Sequence, residues 1–331
     1  MAGALVISLD FELIWGVLDR SDRRGYLSNL MGARRVVPAL LERFVASDIH
    51  ATWATVGMLA HHSREELRAS LPTQRPTYQD PSLDAYGEVA SVGQDEHADP
   101  LHLAGRLVAQ VASTPGQELG THTFCHYYAL EPGQTREQFA ADLESATRAL
   151  SRFGPRPRSL VFPRNQINPA YLDVVSSLGI VAVRGNQCHH AFEARPASQE
   201  SLARRALRFA DSLLPIDADP SYSWEWLRRS RPAPTLVNVR ASAFLRPRGA
   251  GMARGALGAL QVRRVVSALW QAAASKRIFH LWWHPHNFGR DIGANLAALD
   301  AILREYRAMR RRFGFESLSM GEVAARALAS A

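Results

Sequence analysis

A chain of 331 residues, 47% of them hydrophobic, has material for one large barrel-type domain or two ordinary ones. Its formal charge of +8 rests on arginine, Lys276 being the one lysine, and the arginines are scattered in short groups such as Arg23-Arg24 and Arg310 to Arg312. That scatter argues against the concentrated basic face of a nucleic-acid binder and leaves anionic substrates such as phosphorylated sugars open. Two cysteines, Cys125 and Cys188, make no disulfide framework and fit no zinc spacing, and no apolar run approaches the ~18–20 residues of a membrane span.

Strand-like "ALVISLDF" begins at Ala4, which leaves no room for the charged and apolar regions of a signal peptide, so the expected location is cytoplasmic. An amphipathic helix over 32–47, a strand over 49–57 and a helix over 64–71 follow. Strand-like 117–123 precedes a helix over 135–153, and the rhythm continues with a strand at 159–163, a helix at 168–179 and a strand at 180–185. A strand at 235–239, a helix from about 255 to 274, a strand at 278–283 and a helix near 294–312 complete it. Apolar strands separated by helices predict a parallel α/β fold, and their number favours a barrel. Residues 72–98, rich in Pro, Gln, Asp and Gly, and the irregular 186–233 break the rhythm, and loops this long predict lids or substrate-binding insertions. The expectation is one catalytic domain over 1–331 with those two insertions.

Four polar clusters each follow a predicted strand. In "ISLDFELIWG" (7–16), side-chain alternation puts Val6, Ser8, Asp10 and Glu12 on one face and Leu5, Ile7, Leu9 and Phe11 on the other. In a parallel barrel the apolar face packs on helices and the opposite face points inside, towards the C-terminal rim where active sites sit. Asp10 and Glu12 then aim together into a site; the alternative is a helix cap and a solvated loop charge. In "GTHTFCHYY" (120–128), His122 and His126 are spaced i, i+4, so a helical turn would bring both imidazoles to one face. Two imidazoles and a carboxylate make a three-ligand set for catalytic zinc, with Thr123 available to orient a histidine. In "VFPRNQ" (161–166), Arg164 can pair with a carboxylate and hold it ionised. In "LWWHPHNFG" (281–289), His284 sits where an imidazole could protonate a leaving group.

The order DxE, HTxxH, FPR, LWWH, spanning roughly residues 4 to 290, resembles the polysaccharide deacetylase family (carbohydrate esterase family 4, the chitooligosaccharide deacetylase homology domain). The resemblance implies a distorted (β/α)7 barrel and a divalent metal, usually zinc, held by one carboxylate and two histidines. It also implies hydrolysis of an N- or O-acyl group from a sugar. Carried over, His122 and His126 are metal ligands, Asp10 the general base, Arg164 its orienting partner and His284 the general acid. Most members have adjacent aspartates; here Phe11 follows Asp10 and the second carboxylate comes one place later, as in the subset with D-x-D or D-x-E. Glu12 is therefore assigned to the metal, with Asp10 as the alternative ligand.

The expected substrate is a nucleotide- or lipid-linked acyl sugar for a surface polysaccharide such as O-antigen or capsule, reached through peripheral contact with a membrane if lipid-linked. Trp53, Trp224, Trp226, Trp282 and Trp283 could stack on sugar rings, although buried tryptophans are commoner than sugar platforms. Trp53, Trp224 and Trp283, with His286, are the expected substrate contacts. Cys125, between the two histidines, is expected to be a packing residue. Two other readings are an amidohydrolase of the same family opening a non-sugar amide or cyclic ureide, and an inactive barrel serving as a binding module.

Overall fold

Strand β1 (Ala4–Phe11) is buried along its whole length and hydrogen-bonded on both sides, so every residue of it faces protein. The structure, a computed structural model, describes residues 1–20, 22–213, 219–248 and 256–329. After β1, helix α1 (Arg23–Ser47) is capped by Asp22, which accepts from the Gly25 N–H, and it starts well before the expected residue 32. Then come β2 (Ala51–Thr55), α2 (Arg64–Ala69), α3 (Gly105–Ser113), β3 (Gln117–Thr121) and α4 (Arg136–Leu150). The Thr135–Gln138 capping box sets the start of α4. Next are β4 (Ser159–Leu160), α5 (Leu172–Ser177), β5 (Ala182–Val183), α6 (Leu202–Leu213) and α7 (Trp224–Arg229). The chain continues through β6 (Val237–Asn238), β7 (Ala243–Phe244), α8 (Ala256–Ala274), β8 (Ile278–Trp283), α9 (Ile292–Phe313), β9 (Glu316–Leu318) and α10 (Met320–Ala329).

The strands are parallel in the order β6-β5-β4-β3-β2-β1-β8-β7, with β9 added on β1. One chain segment closes the ring. Val237, Val239 and Ala241 donate to the carbonyls of Val181, Val183 and Gly185, after which Ser242 and Leu245 donate to those of His280 and Trp282. Counting β6 and β7 as one stave that leans first on β5 and then on β8, this is a distorted (β/α)7 barrel, as expected.

Alternation along β1 divides the core in two. Leu5, Ile7, Leu9 and Phe11 join a large outer cluster between strands and helices. Ala4 and Val6 point inside, where they meet Ala54, Ala182 and Val239, and α10 fills the barrel floor with Met320, Val323, Ala324 and Ala327. The interior thus grades upward from an apolar floor through Ser8 to Asp10 and Glu12 at the rim. The 186–233 stretch is less irregular than its sequence implies, since it contains α6 and α7. Among the described residues, no helix is long and apolar enough to cross a membrane.

Candidate active site

Glu12 leaves β1 at φ −131° and ψ −21°, and Leu13 turns sharply with φ 43°, which holds the Glu12 side chain over the barrel mouth. Gly16 makes this possible. A Cβ there would lie 2.0–2.5 Å from the Glu12 carboxylate atoms, a separation no side chain tolerates. Gly16→Ala should therefore displace that carboxylate and weaken any divalent-ion binding by Glu12, His122 and His126 about 10–100-fold, the range for a damaged metal environment. Metal titration of the folded variant checks this, and unchanged affinity would remove Glu12 from the ligand set.

His122 and His126 do come together, but not on a helix. They lie in an irregular loop with Thr123 and His126 at positive φ, 64° and 62°. Tertiary hydrogen bonds sustain that backbone. Thr123 Oγ1 donates to the His122 carbonyl (2.6 Å) and accepts from the Tyr127 N–H (2.7 Å), so Thr123 braces the loop and not an imidazole. Asp142 of α4 accepts the N–H groups of Phe124 (2.7 Å) and Cys125 (3.0 Å). Burial pushes the Asp142 carboxyl up to about 6 despite these bonds. Cys125 itself packs in the outer core. From the 72–98 stretch, the Tyr78 hydroxyl accepts the Tyr128 N–H (2.8 Å), and Tyr86 lies against Asp142. That insertion buttresses the loop and lines neither cavity at the barrel mouth, contrary to the expected lid.

His122 Nδ1 lies 2.7 Å from the Val161 carbonyl, which cannot donate, so Nδ1 carries the proton and Nε2 keeps its lone pair. Nε2 of His122 and of His126 lie 3.3 and 3.1 Å from Glu12 Oε2. One ligand atom from each of the three residues falls within 4.8 Å of the others. His126 Nδ1 is buried without a hydrogen-bond partner, and burial holds its imidazole below the ordinary pKa, in the neutral ligating form. Two imidazoles and a carboxylate fit a divalent cation. Burial alone would raise the Glu12 pKa, but His284, together with the imidazoles of His122 and His126 against its carboxylate, brings it well below the ordinary range.

Asp10 has a different arginine from the one expected. Arg184, just past β5, donates from Nη1 to Oδ1 (2.6 Å) and from Nη2 to Oδ2 (2.7 Å), with both side chains buried. Its Nη1 also reaches Ser8 Oγ (3.1 Å), its Nη2 reaches Asn165 Oδ1 (2.9 Å), and its guanidinium lies 4.1 Å from the Trp282 ring centre. Below it, His280 Nδ1 donates to the Val239 carbonyl (3.0 Å) and its Nε2 accepts from Ser8 (2.8 Å), while burial and Arg184 hold its pKa down to about 3. Arg164 takes a left-handed backbone (φ 52°) that turns its side chain away. It pairs with Asp19, lies 3.8 Å from Glu131 and covers the Tyr128 ring at 4.2 Å. The FPRN stretch reaches Asp10 indirectly, through Asn165. Burial would raise the Asp10 pKa, yet Arg184, then His122 and His284, lower it below the ordinary value.

His284 Nε2 stands 3.6 Å from both Asp10 Oδ2 and Glu12 Oε1. His286 is buried beside it, ring stacked at 5.0 Å and Nε2 3.9 Å from Glu12 Oε1, and burial with His284 holds its pKa down to about 3. The expected tryptophan platforms are elsewhere. Trp53 and Trp283 point outward and pack on Phe44, because alternation turns odd positions of β2 and β8 towards the helices. Trp224 lies by the barrel floor, its indole donating to the Ala2 carbonyl (2.8 Å). The aromatic wall beside His284 is Trp282 with Phe244, ring centres 4.6 Å apart. Two cavities, of about 310 and 700 Å³, meet at His284 and Arg164, and the larger is floored by Glu12 and His286.

Several solved structures share this architecture. One is a Mycobacterium smegmatis protein assigned as a polysaccharide deacetylase (15% identity, TM-score 0.62, covering 100% of this chain and 92% of that one). A Pseudomonas aeruginosa PAO1 protein with the same assignment is similar at 13% identity and TM-score 0.55 (99% and 90% covered). So is the PuuE allantoinase, at 14% identity and TM-score 0.54 (99% and 90% covered). At these identities the likeness concerns the fold. No curated protein matches the chain in sequence. Residues 24–183, which include His122, His126 and Arg164 but neither Asp10, Glu12, Arg184 nor His284, match the sequence model described as Polysaccharide deacetylase. That match covers a little under half of the chain, and in this stretch the chain is similar to the polysaccharide deacetylase family, whose fold it shares through the structures above.

Proposed function

We propose that the protein is a metal-dependent hydrolase that removes an N-acyl group, acetyl or formyl, from a sugar carried on a nucleotide or lipid. The observation that carries this reading is the meeting of Glu12, His122 and His126 with Asp10 and His284 at one barrel rim. Glu12, His122 and His126 would hold the divalent ion, zinc being the metal this ligand set suits. Such an ion supplies polarisation of the acyl carbonyl and a lowered pKa for an attacking water.

The remaining work falls to the chain. Asp10, kept ionised by Arg184, accepts the proton of the attacking water at an Oδ atom. Arg184 cannot take that proton itself, so it fixes the carboxylate without competing as a base. His284, between the two carboxylates and open to the cleft, delivers a proton from Nε2 to the departing amine. Neutral His286 stacks on His284 and limits its rotation. Trp282 and Phe244 offer a flat wall to a sugar ring at the same edge.

The test is release of acetate or formate together with a free amine, assayed across N-acyl sugars, their nucleotide- and lipid-linked forms, and cyclic ureides. Activity on acyl sugars should disappear with a chelator and return with about one zinc per chain. Activity confined to ureides, or undiminished in metal-free protein, would overturn the reading.

A further inference from the structure

The smaller cavity, on the Trp282 side of His284, is lined by five arginines against three carboxylates. Most of these arginines are already committed. Arg195 pairs with Glu193 (2.9 Å), Arg208 with Glu200 (2.9 Å), Arg264 with Asp211 (3.0 Å), and Arg164 with Asp19. Arg246 differs. Among the described residues its guanidinium has no carboxylate partner: Nη2 donates to the Arg208 carbonyl (3.0 Å), and Nε is buried without any hydrogen bond. Phe244 and Phe209 flank it, with ring centres 5.8 and 5.2 Å away. Burial and the charge of Arg208 hold its pKa below the ordinary arginine value, with Asp211 opposing them. A second buried donor in the same wall, Trp282 Nε1, also lacks a partner.

Arg246 is half-buried, but its enclosed Nε and the Trp282 Nε1 are unpaired donors, which are costly unless a ligand completes them. The cavity shares His284 with the larger cleft over Glu12, so one molecule can span both. We infer that this cavity is a phosphoryl-binding subsite in which Arg246 holds the phosphate of a sugar phosphate whose ring lies along Trp282 and Phe244. The inference rests on the proposed hydrolysis of acyl sugars and deepens it, because it makes the phosphate a recognised part of the substrate. A nucleoside diphosphate and a polyprenyl phosphate present the same group, and the cavity recognises what they share.

The experiment compares kcat/KM for N-acetylglucosamine, its 1-phosphate, and its UDP- and polyprenyl-linked forms, using zinc-loaded wild type, Arg246→Gln and Arg246→Lys. Binding of inorganic phosphate is measured by calorimetry on the same proteins. Phosphorylated sugars should be used about 10–100-fold better than the plain sugar, the worth of a charge-assisted hydrogen bond, with the gain residing in KM. Arg246→Gln should lose that gain and the phosphate binding, while Arg246→Lys, which keeps the charge, retains part of both. The better of the UDP and polyprenyl forms identifies the carrier. Equal use of plain and phosphorylated sugars by wild type, or a phosphate preference that survives Arg246→Gln, overturns the subsite and leaves the hydrolase reading intact. Arg246-dependent phosphate binding in protein that hydrolyses none of these sugars upholds the subsite and overturns the proposed function.

Discussion

Arg184→Gln should lower kcat by about 10²–10⁴, the usual contribution of a positioned general base, while Arg164→Gln leaves kcat within a few-fold and acts mainly on KM. Arg184 gives Asp10 two charge-assisted bonds in a buried setting, and glutamine cannot replace the fork. The loss also has a pH signature. Arg184 lowers the Asp10 pKa, so its removal lets burial raise that pKa and shifts the acid limb of the pH–rate profile upward. For stability the sign is that of a depressed carboxylate. The pair contributes above the unfolded Asp value of about 3.9 and is lost as pH falls through the lower folded value. Breaking one side of a buried pair costs about 3–5 kcal/mol, so thermal denaturation at neutral pH should show it, and kinetics must be taken below the melting transition. Arg184→Lys should recover part of the rate. Normal turnover and an unmoved acid limb in Arg184→Gln would return the orienting role to Arg164.

Asp10 and Glu12 should separate in a zinc titration. Glu12→Gln keeps reach and shape but removes the charge facing His122 and His126, so affinity should fall about 10–100-fold, with activity following metal occupancy. Asp10→Asn should leave affinity within a few-fold and cut turnover by about 10²–10⁴ even at saturating zinc. The geometry favours this division, because Arg184 engages one lone pair of each Asp10 oxygen and leaves another for a proton, whereas Glu12 Oε2 faces two imidazoles. Loss of zinc from Asp10→Asn with retention by Glu12→Gln would exchange the two assignments.

What the sequence could reveal here followed the reach of one local rule. Alternation along β1 turns Ser8 and Asp10 inward, while Glu12, one residue past the strand, reaches the same cleft through the turn at Leu13. The same rule on β8 turns His280, Trp282 and His284 inward and Trp283 outward, and on β5 it turns Arg184 inward after Ala182. By this rule His284, Trp282 and Arg184 are legible, whereas the FPR motif and the paired tryptophans point to Arg164 and Trp283. The histidine loop is another matter. Its i, i+4 spacing predicts a helical turn, but Asp142 and Thr123 hold a left-handed backbone at two positions, and Asp142 comes from a separate helix. No local pattern encodes that clamp. Nor does periodicity say which surface α6 covers, so its part in the cavity wall became visible only with the fold assembled.

The floor of the barrel bears on how the chain reaches this state. Ala4 of β1 is in register with Glu316 of β9, and α10 supplies the Gly321 N–H to Glu118 (3.0 Å) and the Met320 N–H to Thr52 (2.8 Å). Glu118 also collects the hydroxyls of Thr52 (2.7 Å) and Ser159 (2.6 Å), so three strands and α10 converge on one carboxylate. Until β9 and α10 arrive, the lower barrel is an open cup lined with Val6, Ala54 and Val239 and wetted by solvent. Contacts this distant in sequence must meet the loop-closure entropy of nearly the whole chain before they return any stabilisation, which slows folding. During synthesis the first strand emerges from the ribosome long before its final neighbour exists. The half-built barrel is then the species most exposed to aggregation, and its lifetime is set by how fast β9 and α10 follow.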